Sequence, residues 1–172
     1  METESFHHPP GAANRAPSIT GRCLCGAVEV QVSKPAVDAA SFGTCYCINC
    51  RKASGSSYAH CFKIRRNDLT ICSNENLAVK AYRDTDTAPN AKTGTKPVLV
   101  RSFCSVCGSS LWDQAEEDKS LTDPEAEVFL RATLFSKEDL PNEGKPSYEL
   151  FCCRRESWLP GIHGAKQHDM MN

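Results

Sequence analysis

Charge of one sign is what this 172-residue sequence most lacks: 20 lysines and arginines face 21 aspartates and glutamates, a formal net charge of -1. Nucleic-acid-binding domains ordinarily carry a basic excess, so the balance argues against DNA or RNA as a partner and against an anionic membrane surface. Long apolar runs are missing too. No stretch approaches the roughly 18 residues of a membrane span. Met1 to Ser18 has no basic start followed by an apolar segment, so neither an anchor nor a secretory signal is expected. Sustained helical periodicity is also scarce. The helix signals are brief, such as Ser136-Lys137-Glu138-Asp139, where a serine is placed to cap a single turn.

Cysteine is abundant, with 11 in the chain, an odd count that leaves at least one thiol unpaired in any disulfide scheme. Without a secretory signal, a reducing compartment is the better expectation, and the protein reads as cytoplasmic.

The length suits one domain with a modest core. Residues 1–18, rich in Pro, Gly, Ala, Asn and His, read as a disordered leader. The His7-His8 pair there reads as polar filler. Residues 19–160 read as a mainly β domain, and 161–172 as a tail. Val28, Val30 and Val32 alternate with polar residues, and Tyr58 to Ile64 places His60, Phe62 and Ile64 on one side. Leu77 to Tyr82, Val98 to Phe103 and Val128 to Leu134 are further predicted strands. Asp84 to Lys96 and Asp113 to Glu127 read as solvated loops.

Three motifs stand out: Cys23-Leu24-Cys25, Cys45-Tyr46-Cys47-Ile48-Asn49-Cys50 and Cys104-Ser105-Val106-Cys107. Closely spaced cysteines on tight turns can aim thiolates at one ion about 2.3 Å from each sulfur. Seven such ligands divide as four plus three. Cys23, Cys25, Cys104 and Cys107 make a closed set, which for zinc is structural and would tie the first strand to a late one. Cys45, Cys47 and Cys50 leave one position open, as in catalytic zinc sites. The alternative is that Cys61 or His60, just downstream, closes that site. Arg51 and Lys52 follow the last ligand and could offset thiolate charge or bind a ligand carboxylate. The backbone N–H groups of Ser54-Gly55-Ser56 could form a small anion nest. The solvated-turn reading of both segments stays open. Cys61, Cys72, Cys152 and Cys153 have no motif spacing and read as small packed hydrophobes.

These motifs in order, with Gly21-Arg22 before the first, Ser54-Gly55-Ser56 after the second and Gly108-Ser109 after the third, resemble the glutathione-dependent formaldehyde-activating enzyme and centromere protein V family. Tyr148 to Phe151 and Ser157 to Pro160 are similar to its closing motif. The resemblance implies a β-tent fold of short antiparallel strands with two zinc ions, held as divided above. It implies a carbon–sulfur lyase whose partners are glutathione or another small thiol and formaldehyde or a related electrophile. Cys45, Cys47 and Cys50 would be the catalytic ligands, with Arg51, Lys52, Ser54, Gly55 and Ser56 nearest the thiol. Many members carry histidine where this chain has Glu149, and the Asp84–Lys96 loop is idiosyncratic. Other branches of the family suggest a non-catalytic binding module, and a glutathione carrier is a third reading.

Overall fold

The computed structural model describes residues 17–74, 77–89, 94–116 and 123–170. His7-His8 and nearly all of the expected leader lie outside them. Among the described residues, eleven strands and two short α-helices run in the order β1 (Ser18–Arg22), β2 (Val28–Ser33), α1 (Lys34–Asp38), β3 (Phe42–Cys45), α2 (Ile48–Ser54), β4 (Ala59–Arg65), β5 (Leu69–Asn74), β6 (Val79–Asp84), β7 (Leu99–Cys104), β8 (Ser110–Ala115), β9 (Glu127–Arg131), β10 (Tyr148–Leu150) and β11 (Lys166–His168). The domain is mainly β, as the sequence predicts.

A small sheet has the order β1-β2-β5. A larger one runs β11-β10-β3-β4-β9-β8-β7-β6. Pairing is antiparallel except at β10, which lies parallel to both β3 and β11. The segment expected as a tail therefore supplies a strand, β11, to the larger sheet. Sequence periodicity missed it because a three-residue edge strand with exposed side chains carries no alternation to detect.

The core lies between the sheets. Val28, Val30 and Val32 of β2 point inward, alternating with half-exposed neighbours. They meet Phe62 and Ile64 of β4, Leu111 of β8, and Val128 and Leu130 of β9. Each such side chain, fully buried, contributes about 1.5–3 kcal/mol. Phe62 stands edge-on to Phe135 at 5.8 Å and tilts against Phe42 at 4.8 Å. Gly43 lets β3 approach β10 closely: a Cβ there would fall 2.2 Å from the Tyr148 ring.

Several sequence expectations need correction. The predicted Leu77–Tyr82 strand starts at Val79, because Leu77 has a positive φ of 53° and lies exposed. Its alternation is also lost, since β6 is a sheet edge buried only at its ends. The predicted Val128–Leu134 strand stops at Arg131, where a 3-10 turn over Ala132–Leu134 swings Phe135 into the core. Asp84 and Asp113, assigned to polar loops, sit in β6 and β8 and are buried. Both helices escaped prediction, being too short to show a period. The Ser136 turn is present as a single 3-10 turn, although the serine side chain caps no backbone N–H.

Candidate metal centres and the cleft beside them

All eleven cysteines are free thiols. Seven of them converge in two groups, Cys23/Cys25/Cys104/Cys107 and Cys45/Cys47/Cys50, with the sulfurs of each group within 4.8 Å of one another.

The four-cysteine group joins the two sheets. Cys23 and Cys25 lie in the turn after β1, while Cys104 closes β7 and Cys107 lies in the turn that follows it. Cys25 Sγ stands 3.6 Å from Cys23 Sγ and 3.8 Å from Cys104 Sγ. Four sulfurs about 2.3 Å from one tetrahedral ion stand about 3.8 Å apart, so the donor set fits a soft metal ion. Backbone groups support the negative charge such ligands carry. The Val28 N–H donates to Cys23 Sγ at 3.2 Å. Ser109 Oγ lies 3.2 Å from Cys107 Sγ, lowers that thiol to about 5 and accepts the Leu24 N–H at 3.1 Å.

The three-cysteine group is assembled by a strand end and a helix start. Cys45 closes β3, opposite Ala59 of β4 and beside Leu150 of β10. Cys47 is the N-cap of α2, its sulfur accepting the Cys50 N–H at 3.4 Å. The cap and the candidate ligand are thus one atom. The helix ends at Gly55, which takes φ 60°, and carries Arg51 and Lys52 in its last turn, where a helix dipole favours cations. Hydrogen bonds from the Cys45 and Cys50 thiols lower Cys47 to about 3. Cys45 is pushed up by its contacts with Cys47 and Cys50 and by burial.

Among the described residues, no fourth His, Cys, Asp or Glu donor joins this trio. His60 Nε2 is 2.9 Å from the Gly144 carbonyl instead. Cys61 is half-buried on β4 but outside the group. Of the remaining cysteines, Cys72 and Cys153 are exposed rather than packed, a departure from the small-hydrophobe reading.

Two buried polar assemblies hold the trio, and sequence reasoning missed both. Glu149 of β10, with no exposed surface, accepts the Tyr46 hydroxyl at 2.6 Å, Arg155 Nη1 at 3.3 Å and the Ile162 N–H at 3.1 Å. Tyr46 separates two cysteines of the trio. Arg101 of β7, 6% exposed, bonds Asp84 at 2.8 Å and Asp113 at 3.0 Å. Asp113 also pairs with Arg131 at 2.7 Å, and Asn49 Nδ2 donates to both carboxylate oxygens of Asp84 at 3.0 Å. A charged residue inside an apolar strand candidate, as Arg101 is, was the available signal.

The residues expected to contact a thiol ligand divide. Lys52, Ser54, Gly55 and Ser56 line a cleft of about 740 Å³, together with Arg22, Tyr58, His60, Ser109 and Arg131. That size is ordinary for a small-molecule site. Among the described residues no carboxylate lines it, and Cys107 is the one cysteine in its wall. The sulfurs of Cys45, Cys47 and Cys50 are not among its lining, although Tyr58 packs against their cluster. Arg51 lines instead an adjoining, more open depression that shares Lys52, Gly55 and Ser56 with the cleft, and it is ion-paired with Glu156.

No helix among the described residues is long and apolar enough to cross a membrane. Comparison with known proteins agrees with the cysteine geometry. A protein of Halomonas elongata, named "Putative glutathione-dependent formaldehyde-activating enzyme", is 34% identical over 96 residues, 55% of this chain and 54% of that protein. The chain therefore matches about half the length of this relative. A crystal structure of a Rhodobacter sphaeroides protein superposes with a TM-score of 0.45 and 24% identity, covering 68% of this chain and 87% of that one. The family model for the glutathione-dependent formaldehyde-activating enzyme matches residues 18–154, a span that takes in both cysteine groups and Glu149. On that match the chain belongs to the glutathione-dependent formaldehyde-activating enzyme family.

Proposed function

We propose that the protein is a zinc-dependent carbon–sulfur lyase acting on adducts of glutathione, or a similar thiol, with formaldehyde or a related small electrophile. Cys23, Cys25, Cys104 and Cys107 would hold a structural zinc ion, and Cys45, Cys47 and Cys50 a second one with an open position. Bound there, zinc would supply a Lewis-acid site that favours the thiolate form of an incoming thiol.

The observation that carries this reading is the trio of sulfurs without a fourth protein donor among the described residues. The cleft supports it. Glutathione has a carboxylate at each end, and the cleft offers Arg22, Lys52 and Arg131 with no acidic residue among its described lining. Arg22 is shared with Glu29 and Arg131 with Asp113, which leaves Lys52 the most available of the three. Arg51, held by Glu156, is better placed to brace α2 than to bind ligand. In the forward direction the sulfur attacks the carbonyl carbon and a C–S bond forms. The carbonyl π pair moves to oxygen, and the thiol's proton ends there, giving the S-hydroxymethyl adduct. Reversal releases thiol and aldehyde.

The test compares formation of S-hydroxymethylglutathione with an uncatalysed blank, using wild-type protein and Cys47→Ser. Wild-type acceleration lost in the variant supports the reading. Zinc-dependent glutathione binding without acceleration would favour a carrier instead.

A further inference from the structure

A buried chain of ion-paired side chains, Arg131, Asp113, Arg101 and Asp84, reaches Cys50 through Arg101. We propose that Arg101 is a positioning residue for the three-cysteine centre, setting how tightly that centre holds its metal. The inference rests on the metal-site reading above and concerns residues that reading does not use.

Three observations support it. First, Arg101 is tied at both ends, to Asp84 of β6 and to Asp113 of β8, so its guanidinium is fixed across three adjacent strands. Second, Arg101 Nη1 reaches 4.0 Å from Cys50 Sγ, within contact range of a large, weakly accepting sulfur. Third, the same Asp84 carboxylate holds the Asn49 side chain, and Asn49 immediately precedes Cys50 on α2. One guanidinium thus reaches the ligand directly through its own N–H and indirectly through Asp84 and Asn49.

The chemistry of the donor set explains the need. Three thiolates around a divalent ion leave a net negative centre, half-buried where water screens it poorly. A fixed cation beside one sulfur offsets that charge without competing for the metal, because arginine has no lone pair to donate. Arg101 and Arg131 are balanced by Asp84 and Asp113, so the cation is held in place with little net burial of charge. Lysine could not replace it: a point charge cannot satisfy two carboxylates and a sulfur from one planar fork. Partners that orient metal ligands typically change metal affinity by about 10–100-fold when removed.

The experiment loads the full-length protein with zinc and titrates it with a chromophoric chelator, then repeats the loading with cobalt(II) and records the sulfur-to-metal charge-transfer band. Wild type is expected to release two metal equivalents in two steps of different affinity. Arg101→Gln should weaken the looser step by about 10–100-fold and shift the cobalt band of that site, leaving the tighter step unchanged. Because Arg101→Gln strands two buried carboxylates, Asn49→Ala serves as the second variant. It cuts only the indirect arm and keeps both ion pairs, and should weaken the same step by a smaller factor. Arg101→Lys should restore less than half of the lost affinity on a logarithmic scale. Two metal steps in wild type that remain unchanged in folded Arg101→Gln and in Asn49→Ala would overturn the proposal while leaving the metal-site reading intact. A single metal equivalent in wild type would overturn that reading and the proposal with it.

Discussion

Glu149 and Tyr46 lie 103 residues apart in the chain and meet at 2.6 Å, phenol to carboxylate, in an environment from which solvent is fully excluded at Glu149. The bond pins the residue between Cys45 and Cys47 to β10. Burial and the carboxylate push the Tyr46 phenol up to about 12, so it remains a donor throughout the neutral range. Tyr46→Phe should therefore lower unfolding free energy by about 1.5–3 kcal/mol, the usual worth of a hydrogen bond to a charged group. Urea midpoints check this. An unchanged midpoint would mean that Arg155 and the Ile162 N–H satisfy Glu149 without help.

The two cysteine groups should differ sharply in what their removal does. Cys104→Ser opens the link between the sheets and should lower the thermal midpoint by at least about 8–16 °C, corresponding to about 4 kcal/mol for a chain of this size. Cys47→Ser should lose one metal equivalent with a much smaller shift. Metal analysis alongside calorimetry reads both. Equal shifts for the two variants would undo the division into a structural and an open centre.

Acid should weaken the clamp on α2 in a defined direction. Burial opposes ionisation of Asp84, yet hydrogen bonds from Asn49 and Arg101 outweigh it and hold the carboxyl below its ordinary value. A depressed carboxyl contributes its full stability above the unfolded value, about 3.9, and loses it as pH falls through the folded value. Asp113 runs the other way, because burial raises it against the pull of Arg131 and Arg101. The wild-type curve therefore mixes two signs, and the difference between wild type and Asp84→Asn isolates one. That difference should be largest near neutrality and shrink below about pH 4. A difference that grows with acid would refute the assignment.

Lys52 and Arg51 are neighbours in sequence with unequal expected roles. Lys52→Ala should weaken glutathione binding about two- to fivefold, the range for one exposed ion pair, with the effect fading at high salt. Arg51→Ala should act on the stability of α2 through the loss of Glu156. Calorimetric titration at two ionic strengths distinguishes them, and equal losses of affinity would place both in the ligand site.

The cysteine groups were legible because their spacing is local: two or three cysteines within six residues announce themselves without any knowledge of the fold. The four-plus-three division was legible too, since it needs only counting. The supports were not. Asp84 and Asp113 read as loop residues because each begins a polar stretch, and only the pairing of β6, β7 and β8 reveals that they face the same arginine. Glu149 could be read only as a departure from a pattern. Its partners are Tyr46, Arg155 and Ile162, and no sequence spacing connects them. β11 and α2 were lost to brevity, being shorter than the windows in which periodicity can be seen.

The distance along the chain between the halves of the four-cysteine centre has a consequence for how the protein is made. Cys25 and Cys104 are 79 residues apart, which at about 5–20 residues per second is roughly 4–16 s of synthesis. During that interval the first pair of thiols is exposed on the nascent chain with no partner pair to complete a tetrahedron. The trio at Cys45, Cys47 and Cys50 emerges earlier as a finished set. On the proposed two-metal reading, metal shortage during synthesis would leave the joint between the sheets unmade for longer than the three-cysteine set.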